Sequence, residues 1–190
     1  MTSFDNDIKI ASDKPSLDIK KNQNTPQNDD TVRLGTYEQA KIWGRNVAAA
    51  FIKDSLENAV TDDFDFDMII QRRLLLSFTA TIGFEKFASD DFLCGVAQKS
   101  FLDTVKKERS ELFETSQDTG AFSFYYLAFR RGGDVVRRIG QTFAMLCSHD
   151  GDPVYQELGE ALYCWFSSSI EKAVTELNLK KKKKKLLSHI

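Results

Sequence analysis

The residues most able to do chemistry lie in one short stretch, from Phe129 to Arg138. Four arginines flank a glycine pair in it: Arg130, Arg131, Arg137 and Arg138. A guanidinium binds phosphate or carboxylate through two parallel hydrogen bonds, and a glycine pair lets backbone approach an anion closely. The stretch therefore indicates a site for an anion or for an acidic partner.

The same stretch also has a structural interpretation, as the turn between two helices. Arg130 and Arg131 would end one helix, where positive charge is favourable, and Asp134 would cap the next. A capping aspartate occupies the amides that an anion would need, and the spacing matches no phosphate-binding loop. The sequence is compatible with both interpretations.

An aromatic cluster precedes the arginines, with five rings in the eight positions from Phe122 to Phe129. On a helix these rings spread around more than half of the circumference, so at least one should face away from the core. Aromatic residues beside arginine are typical of protein interfaces. The cluster therefore indicates either a buried helix or a surface for a partner or a second copy, which Phe124 and Tyr126 would form together with the arginines.

Histidine chemistry is limited, because the chain contains only His149 and His189. A metal site built on the His149-Asp150 pair would need further histidines, and no Glu-x-x-His motif for a di-iron centre is present. A Ser or Cys hydrolase triad would have to use His149, and no spacing supports it. We predict no catalytic residue, no metal and no cofactor.

The acidic stretch from Asp62 to Asp67 begins like a calcium-binding loop when counted from Asp63. Such a loop needs Gly at its sixth position and Glu at its twelfth, where this chain has Met68 and Leu74. Without the Gly the loop lacks its sharp turn, and without the Glu it lacks its bidentate ligand. We interpret these carboxylates as capping the second helix.

A run of six lysines opposes the charge of the rest of the chain. Residues 31–179 contain sixteen Lys or Arg and twenty-two Asp or Glu, a net charge of −6, and the run adds +6. An acidic body argues against duplex binding by the domain itself. The run either binds an anionic membrane or a nucleic acid, with sensitivity to salt, or is a disordered solubilising tail or one that folds back on its own acidic body. It consists of Lys180, Lys181, Lys182, Lys183, Lys184 and Lys185.

The compartment follows from the cysteines and the hydropathy pattern. Cys94, Cys147 and Cys164 are an odd number in apolar helical contexts, which favours buried free thiols in a reducing environment. No basic start followed by an apolar stretch marks a secretory signal, and no apolar run is long enough to span a membrane. We predict a cytoplasmic protein.

The periodicity of apolar residues is helical from Thr36 onward, without convincing strand alternation. We predict an all-α protein, a single helical bundle of five to six helices over residues 35–178. Residues 1–34 are too polar to offset the entropy of ordering, so we expect a disordered N-terminal arm. Residues 179–190 form the lysine-rich tail.

Local signals place most of the helix ends. Thr36 to Gln39 matches a capping box, so the first helix should begin there and run to about Val60. Asp152 and Pro153 suit the cap and first turn of the last helix. The other helices are predicted over residues 66–84, 89–109, 118–131 and 134–148, with a short turn or helix at 110–116.

The apolar patterns of the first and second helices predict which of their faces are buried in the bundle. The first helix carries one stripe with Ile42 and Leu56 and another with Trp43 and Phe51, which indicates burial on more than one side. The second helix is apolar almost all round and therefore belongs at the centre of the bundle.

These observations favour a non-enzymatic helical protein that acts by protein–protein interaction or self-association. An electrostatic tether through the lysine run is one alternative. A small enzyme with an arginine-lined anion pocket is the other, and a cleft at Arg72, Arg73 or Arg137 would support it.

Overall fold

The computed structural model describes residues 27–58, 66–116, 119–177 and 179, and over these residues the chain is all-α. The described part contains seven helices and no strand, which confirms the predicted fold class. The predicted arm up to residue 26 and the lysine run lie outside the described residues. The helices are α1 (Gln27–Glu57), α2 (Phe66–Phe87), α3 (Asp91–Glu108), α4 (Ser110–Thr115), α5 (Thr119–Arg130), α6 (Val135–Leu146) and α7 (Pro153–Glu176).

Helix α2 lies at the centre, as its sequence predicts, and contacts every other described helix. Its residues 74–80 are all buried, including Ser77 and Thr79. Thr79 remains satisfied there, because its hydroxyl donates to the carbonyl of Leu75 at 2.7 Å. This middle part of α2 exposes no face for a ligand, so a site at this level must be built by the helices around it.

Three aspartates start helices as predicted. Asp90, Asp134 and Asp152 each accept a hydrogen bond from a backbone N–H in the first turn that follows, at 2.9, 3.1 and 2.8 Å. Pro153 is the first residue of α7, where its missing N–H costs nothing. These caps set the starts of α3, α6 and α7.

Helix α1 starts earlier than the sequence predicts. The helix begins at Gln27, nine residues before Thr36, so the capping box is wrong and residues 27–34 are helical instead of belonging to the arm. No proline interrupts the sequence from Gln27 to Glu57, and a polar stretch can extend a helix that is anchored further along.

The buried face of α1 corrects a second expectation. Trp43 and Phe51 are fully buried; of the other stripe Ile52 is buried too, whereas Ile42 and Leu56 are 36% and 39% exposed. The helix contacts α3, α2 and α7 on one side only, so a single stripe is enough to cover it. Trp43 also joins α1 to α7, because its Nε1 donates to the carbonyl of Ile170 at 3.3 Å.

Close approach between α6 and α7 depends on two glycines. A Cβ added at Gly140 would meet the carbonyl oxygen of Gln156, and one added at Gly159 would lie 2.6 Å from Cβ of Phe143. Because neither glycine has a Cβ, the two backbones approach closely. This contact holds α6 against α7 and fixes the wall on which the candidate site is built.

The thiols and the hydropathy of the helices bear on the predicted compartment. All three cysteines are free; Cys94 and Cys147 are buried, but Cys164 is exposed, so the expectation of three buried thiols is wrong for it. Cys164 falls on the outer side of α7, beside the half-exposed Trp165. Within the described ranges, no helix has both the length and the apolar character needed to cross a bilayer.

Candidate functional site

The glycine pair forms the turn that joins α5 to α6. Gly132 and Gly133 have φ of 69° and 70°, in the left-handed region that favours glycine. Asp134 follows and accepts from the N–H of Arg137, so the cap predicted for this turn is confirmed. The amides at the start of α6 therefore serve the fold, and any ligand here must be bound by side chains.

Most of the aromatic cluster belongs to the core. The rings of Tyr125 and Tyr126 lie 5.3 and 5.2 Å from Phe78 of α2, and those of Phe122 and Phe129 also contact it. Phe124 is the exception, with 49% of its surface exposed. The helical period thus gives the predicted result, with four rings inward and one outward.

The six residues predicted for one patch lie on two sides of the α5–α6 pair. Tyr126 is half-buried, and the guanidinium of Arg130 lies 5.7 Å from its ring centroid. Burial raises the pKa of Tyr126, as does the neighbouring carboxylate of Glu85, to which its hydroxyl bonds. Arg137 is exposed and does not line the groove described next.

The other three residues line a groove of about 540 Å³ between α5, α6 and the loop before α7. Phe124 and Leu127 form its apolar wall on α5, and Met145 faces them from α6. These three side chains are 49%, 50% and 40% exposed. We call this cavity the α5–α6 groove; its charged lining residues are Arg131, Arg138 and Asp150.

The sequence analysis missed Leu127 and Met145, for two different reasons. Leu127 follows Phe124 by three residues, so the helical period places it on the same face and was sufficient to find it. Met145 lies on the next helix, seven positions after Arg138. Its place beside Phe124 depends on how α5 and α6 pack, for which no local signal exists.

Arg138 lies against the glycine turn. A Cβ at Gly133 would lie 2.5 Å from Nη2 of Arg138, so the guanidinium would have to shift if this residue were not glycine. Nη1 of Arg138 is buried and has no hydrogen-bond partner among the described residues. Neither Arg138 nor the exposed Arg131 forms a salt bridge with a described carboxylate. The lining of the groove therefore has a net positive charge, with two unpaired guanidinium groups and the one carboxylate of Asp150.

Arg72, which would have supported an enzyme, has a structural role. Its Nε and Nη2 donate to the two carboxylate oxygens of Asp54, and Asn58 donates to the same carboxylate at 3.2 Å. The pair borders a shallow pocket of about 320 Å³ beside Trp165. Because Asp54 already neutralises Arg72, the pocket offers little attraction for an anion.

The neighbour of Arg72, Arg73, is half-buried, and burial lowers the pKa of its guanidinium. A third cavity, of about 350 Å³ between α1 and α3, mixes four cations with two carboxylates. Two of those cations already have partners, since Lys41 pairs with Glu38 and Lys99 with Asp103. Arg45 and Lys107 of this cavity form no salt bridge with a described carboxylate, but no exposed large apolar side chain lines it, unlike the α5–α6 groove.

The imidazole of His149 stacks on the ring of Tyr155, with centroids 3.8 Å apart and an angle of 11° between the planes. This contact fits the interpretation of His149 as a loop residue between helices. Among the described residues, no three His, Cys, Asp or Glu side chains come together as a metal site would require. Of the acidic stretch considered for calcium, only Asp67 is described, in the first turn of α2.

Comparison with known proteins adds no assignment: the chain matches no protein-family model, no curated protein and no solved structure. The α5–α6 groove is therefore the candidate functional site. What this groove offers is three exposed apolar side chains beside two arginines.

Proposed function

We propose that this protein acts by binding another protein, and that the α5–α6 groove is the surface on which the partner docks. The observation that carries the proposal is the exposure of Phe124, Leu127 and Met145 along one groove. A partner that covers them removes apolar surface from water, at about 25 cal/mol per Å². Aromatic, Met and Arg side chains are also the residue types enriched at interfaces.

The proposal assigns no chemistry to the chain. Of the groups that would support an enzyme, His149 stacks on Tyr155 and Arg72 bonds to Asp54. The proposed compartment is the cytoplasm, where reducing conditions keep an exposed thiol such as Cys164 free.

The test uses a double variant, Leu127→Ser with Met145→Ser, and a matched control, Leu56→Ser. Leu56 is 39% exposed on α1, so its replacement removes exposed apolar surface away from the groove. Each purified protein is used as bait, and any captured protein is identified by quantitative mass spectrometry and then titrated as a purified component. We expect a partner that the wild-type chain and Leu56→Ser retain and the double variant loses.

A partner that all three proteins bind equally would contradict the proposal, as would the absence of any saturable partner. Light scattering on the same proteins tests self-association. A dimer of the wild-type chain that the double variant dissociates and Leu56→Ser preserves would identify a second copy as the occupant.

A further inference from the structure

The α5–α6 groove combines apolar surface with positive charge that the described chain leaves without a partner. Phe124, Leu127 and Met145 supply the apolar surface, and Arg131 and Arg138 supply the charge. A carboxylate on an occupant could pair with these two guanidinium groups while the rest of the occupant covers the apolar side chains.

Resting on the proposed function, we infer that the groove binds an amphipathic helix of a partner protein, whose carboxylates contact Arg131 and Arg138. Phe124 and Leu127 lie one turn apart on α5, and Met145 faces them from α6, which makes a trough between two helices. Such a trough suits side chains spaced i, i+3 and i+4 on a docked helix.

Other modes of recognition fit the groove less well. An extended peptide binds by pairing with the edge of a sheet, and the described part of the chain has no strand to offer. A free phosphate or a nucleic-acid backbone would contact the arginines but leave Phe124, Leu127 and Met145 in water. The apolar and cationic parts are used together only by a ligand that carries both chemistries.

A second copy of the chain is disfavoured by the charge of the groove. It would bring Arg131 and Arg138 of both copies to one interface, where the two Asp150 carboxylates are too few to neutralise four guanidinium groups. The partner helix needs the opposite charge only locally, because residues 31–179 have a net charge of −6 and repel an acidic partner at long range. Specificity then comes from short hydrogen bonds at the two arginines.

The probes are two synthetic peptides of about sixteen residues, long enough to form helix on binding. Both peptides carry an apolar residue, Leu or Phe, at each of positions i, i+4 and i+7. One peptide has Glu at the flanking positions and the other has Lys. Binding is measured by fluorescence anisotropy and by the methyl NMR signal of Met145, one of only three methionines in the chain. We expect the Glu peptide to bind and shift this signal, and the Lys peptide to bind at least tenfold more weakly.

Three variants locate the charge. Arg131→Gln and Arg138→Gln should each weaken binding of the Glu peptide about tenfold, the effect of one charge-assisted hydrogen bond. Arg137→Gln is the matched control, an exposed arginine of the same segment that does not line the groove, and should leave the affinity unchanged. Because Arg131 is exposed, its variant should fold normally even if Arg138→Gln does not.

The outcomes separate this inference from the proposed function. Equal affinity for both peptides would overturn the inference, while a protein partner lost by the Leu127→Ser, Met145→Ser variant would still support the function. If neither peptide binds, or if Arg137→Gln weakens binding as much as the groove variants do, the inference also fails. The capture experiment then judges the proposed function by itself.

Discussion

The side chain of Tyr125 has one part that suits the interior and one part that does not. It is one of the largest fully buried side chains, and its ring lies 5.3 Å from that of Phe78. Its hydroxyl, however, has no hydrogen-bond partner among the described residues. The burial of that hydroxyl raises the pKa of Tyr125 well above the ordinary value. Burial at this position is therefore favourable for the aromatic ring and unfavourable for the hydroxyl.

Replacing Tyr125 with Phe is expected to raise the free energy of unfolding by about 1 kcal/mol at pH 7, because an unsatisfied buried hydroxyl is removed. In the wild-type protein, unfolded tyrosine ionises near pH ~10 while Tyr125 in the folded protein stays protonated. Stability should therefore fall as the pH rises above this value, and fall less in the variant. Urea denaturation at neutral and alkaline pH measures both effects.

Tyr126→Phe is the control for this prediction, because its hydroxyl bonds to Glu85 and the variant loses that contact. It should not stabilise the protein. A Tyr125→Phe protein that is less stable than the wild type at pH 7 would show that the hydroxyl has a favourable interaction.

The ion pair of Asp54 and Arg72 provides a second test at this scale. The Asp54 side chain is 7% exposed, and Arg72 bonds to both of its oxygens. Arg72→Met leaves a buried carboxylate without its cation, so we expect a loss of about 3 kcal/mol in urea denaturation. Lys99→Ala breaks an exposed pair with Asp103 and should change stability by less than about 0.5 kcal/mol. Equal losses would disprove the role given to burial.

The contact between α6 and α7 shows how whole elements are held at close range. Gly140 faces the backbone of α7, and Gly159 faces α6, so the two helices meet where neither has a side chain. This contact matters for function because α6 carries one wall of the α5–α6 groove. Forcing α6 outward would move Met145 and Arg138 relative to α5.

Gly140→Ala is expected to destabilise the protein by about 2 kcal/mol, because the added Cβ meets the carbonyl of Gln156, which cannot move freely. Gly95→Ala is the matched control. Gly95 lies within α3 with no atom within 4 Å of an added Cβ, so alanine should stabilise the helix by about 0.5 to 1 kcal/mol. Thermal denaturation would contradict this account if the two changes had the same sign.

The sequence predicted elements well where a residue has a defined local function. Asp90, Asp134 and Asp152 mark starts of helices because a capping carboxylate acts within three residues of itself. The start of α1 was missed at Gln27, because Thr36 has the chemistry of a cap without being used as one. Helix α2 was placed at the centre correctly, since burial on all sides shows in its composition.

The candidate site was only partly predictable. Phe124, Arg131 and Arg138 were named from their chemistry and do line one groove. Tyr126 and Arg130 were grouped with them because they are neighbours in sequence, but helical geometry turns them to another side. Met145 belongs to the site through packing between helices, which one sequence without a template does not encode locally.

At the scale of the whole molecule, Trp43 connects three parts of the bundle. It belongs to α1, its ring lies 4.8 Å from Phe84 of α2, and its Nε1 donates to Ile170 of α7. Trp165 on the outer side of α7 is 46% exposed. The two tryptophans therefore report on the core and on the surface.

A Trp165→Phe variant should keep the blue-shifted emission of Trp43 and resist quenching by iodide. Because Trp43 links α1, α2 and α7, its emission and the far-UV circular dichroism should change at the same urea concentration in one transition. Two separate midpoints would mean that these helices unfold as independent units. Trp43→Phe is the complementary control, since the remaining Trp165 should be quenched readily.

Binding of the lysine run to an anionic membrane stays a prediction, and it concerns the molecule as a whole. Replacing Lys180 to Lys185 with Gln is expected to abolish retention on anionic vesicles, to which each lysine near the surface contributes about 1 kcal/mol. Cosedimentation at low and high salt measures the effect. Retention that the replacement leaves unchanged would exclude the tether.

The central position of α2 also has a consequence for how this sequence can vary over generations. Residues 74–80 of this helix are all buried, so a change in the size of one of these side chains disturbs the helices packed around them. The outer faces of α5 and α6 carry no such restriction. New binding specificities would therefore be acquired there by exchange of a few surface residues, while α2 changes slowly.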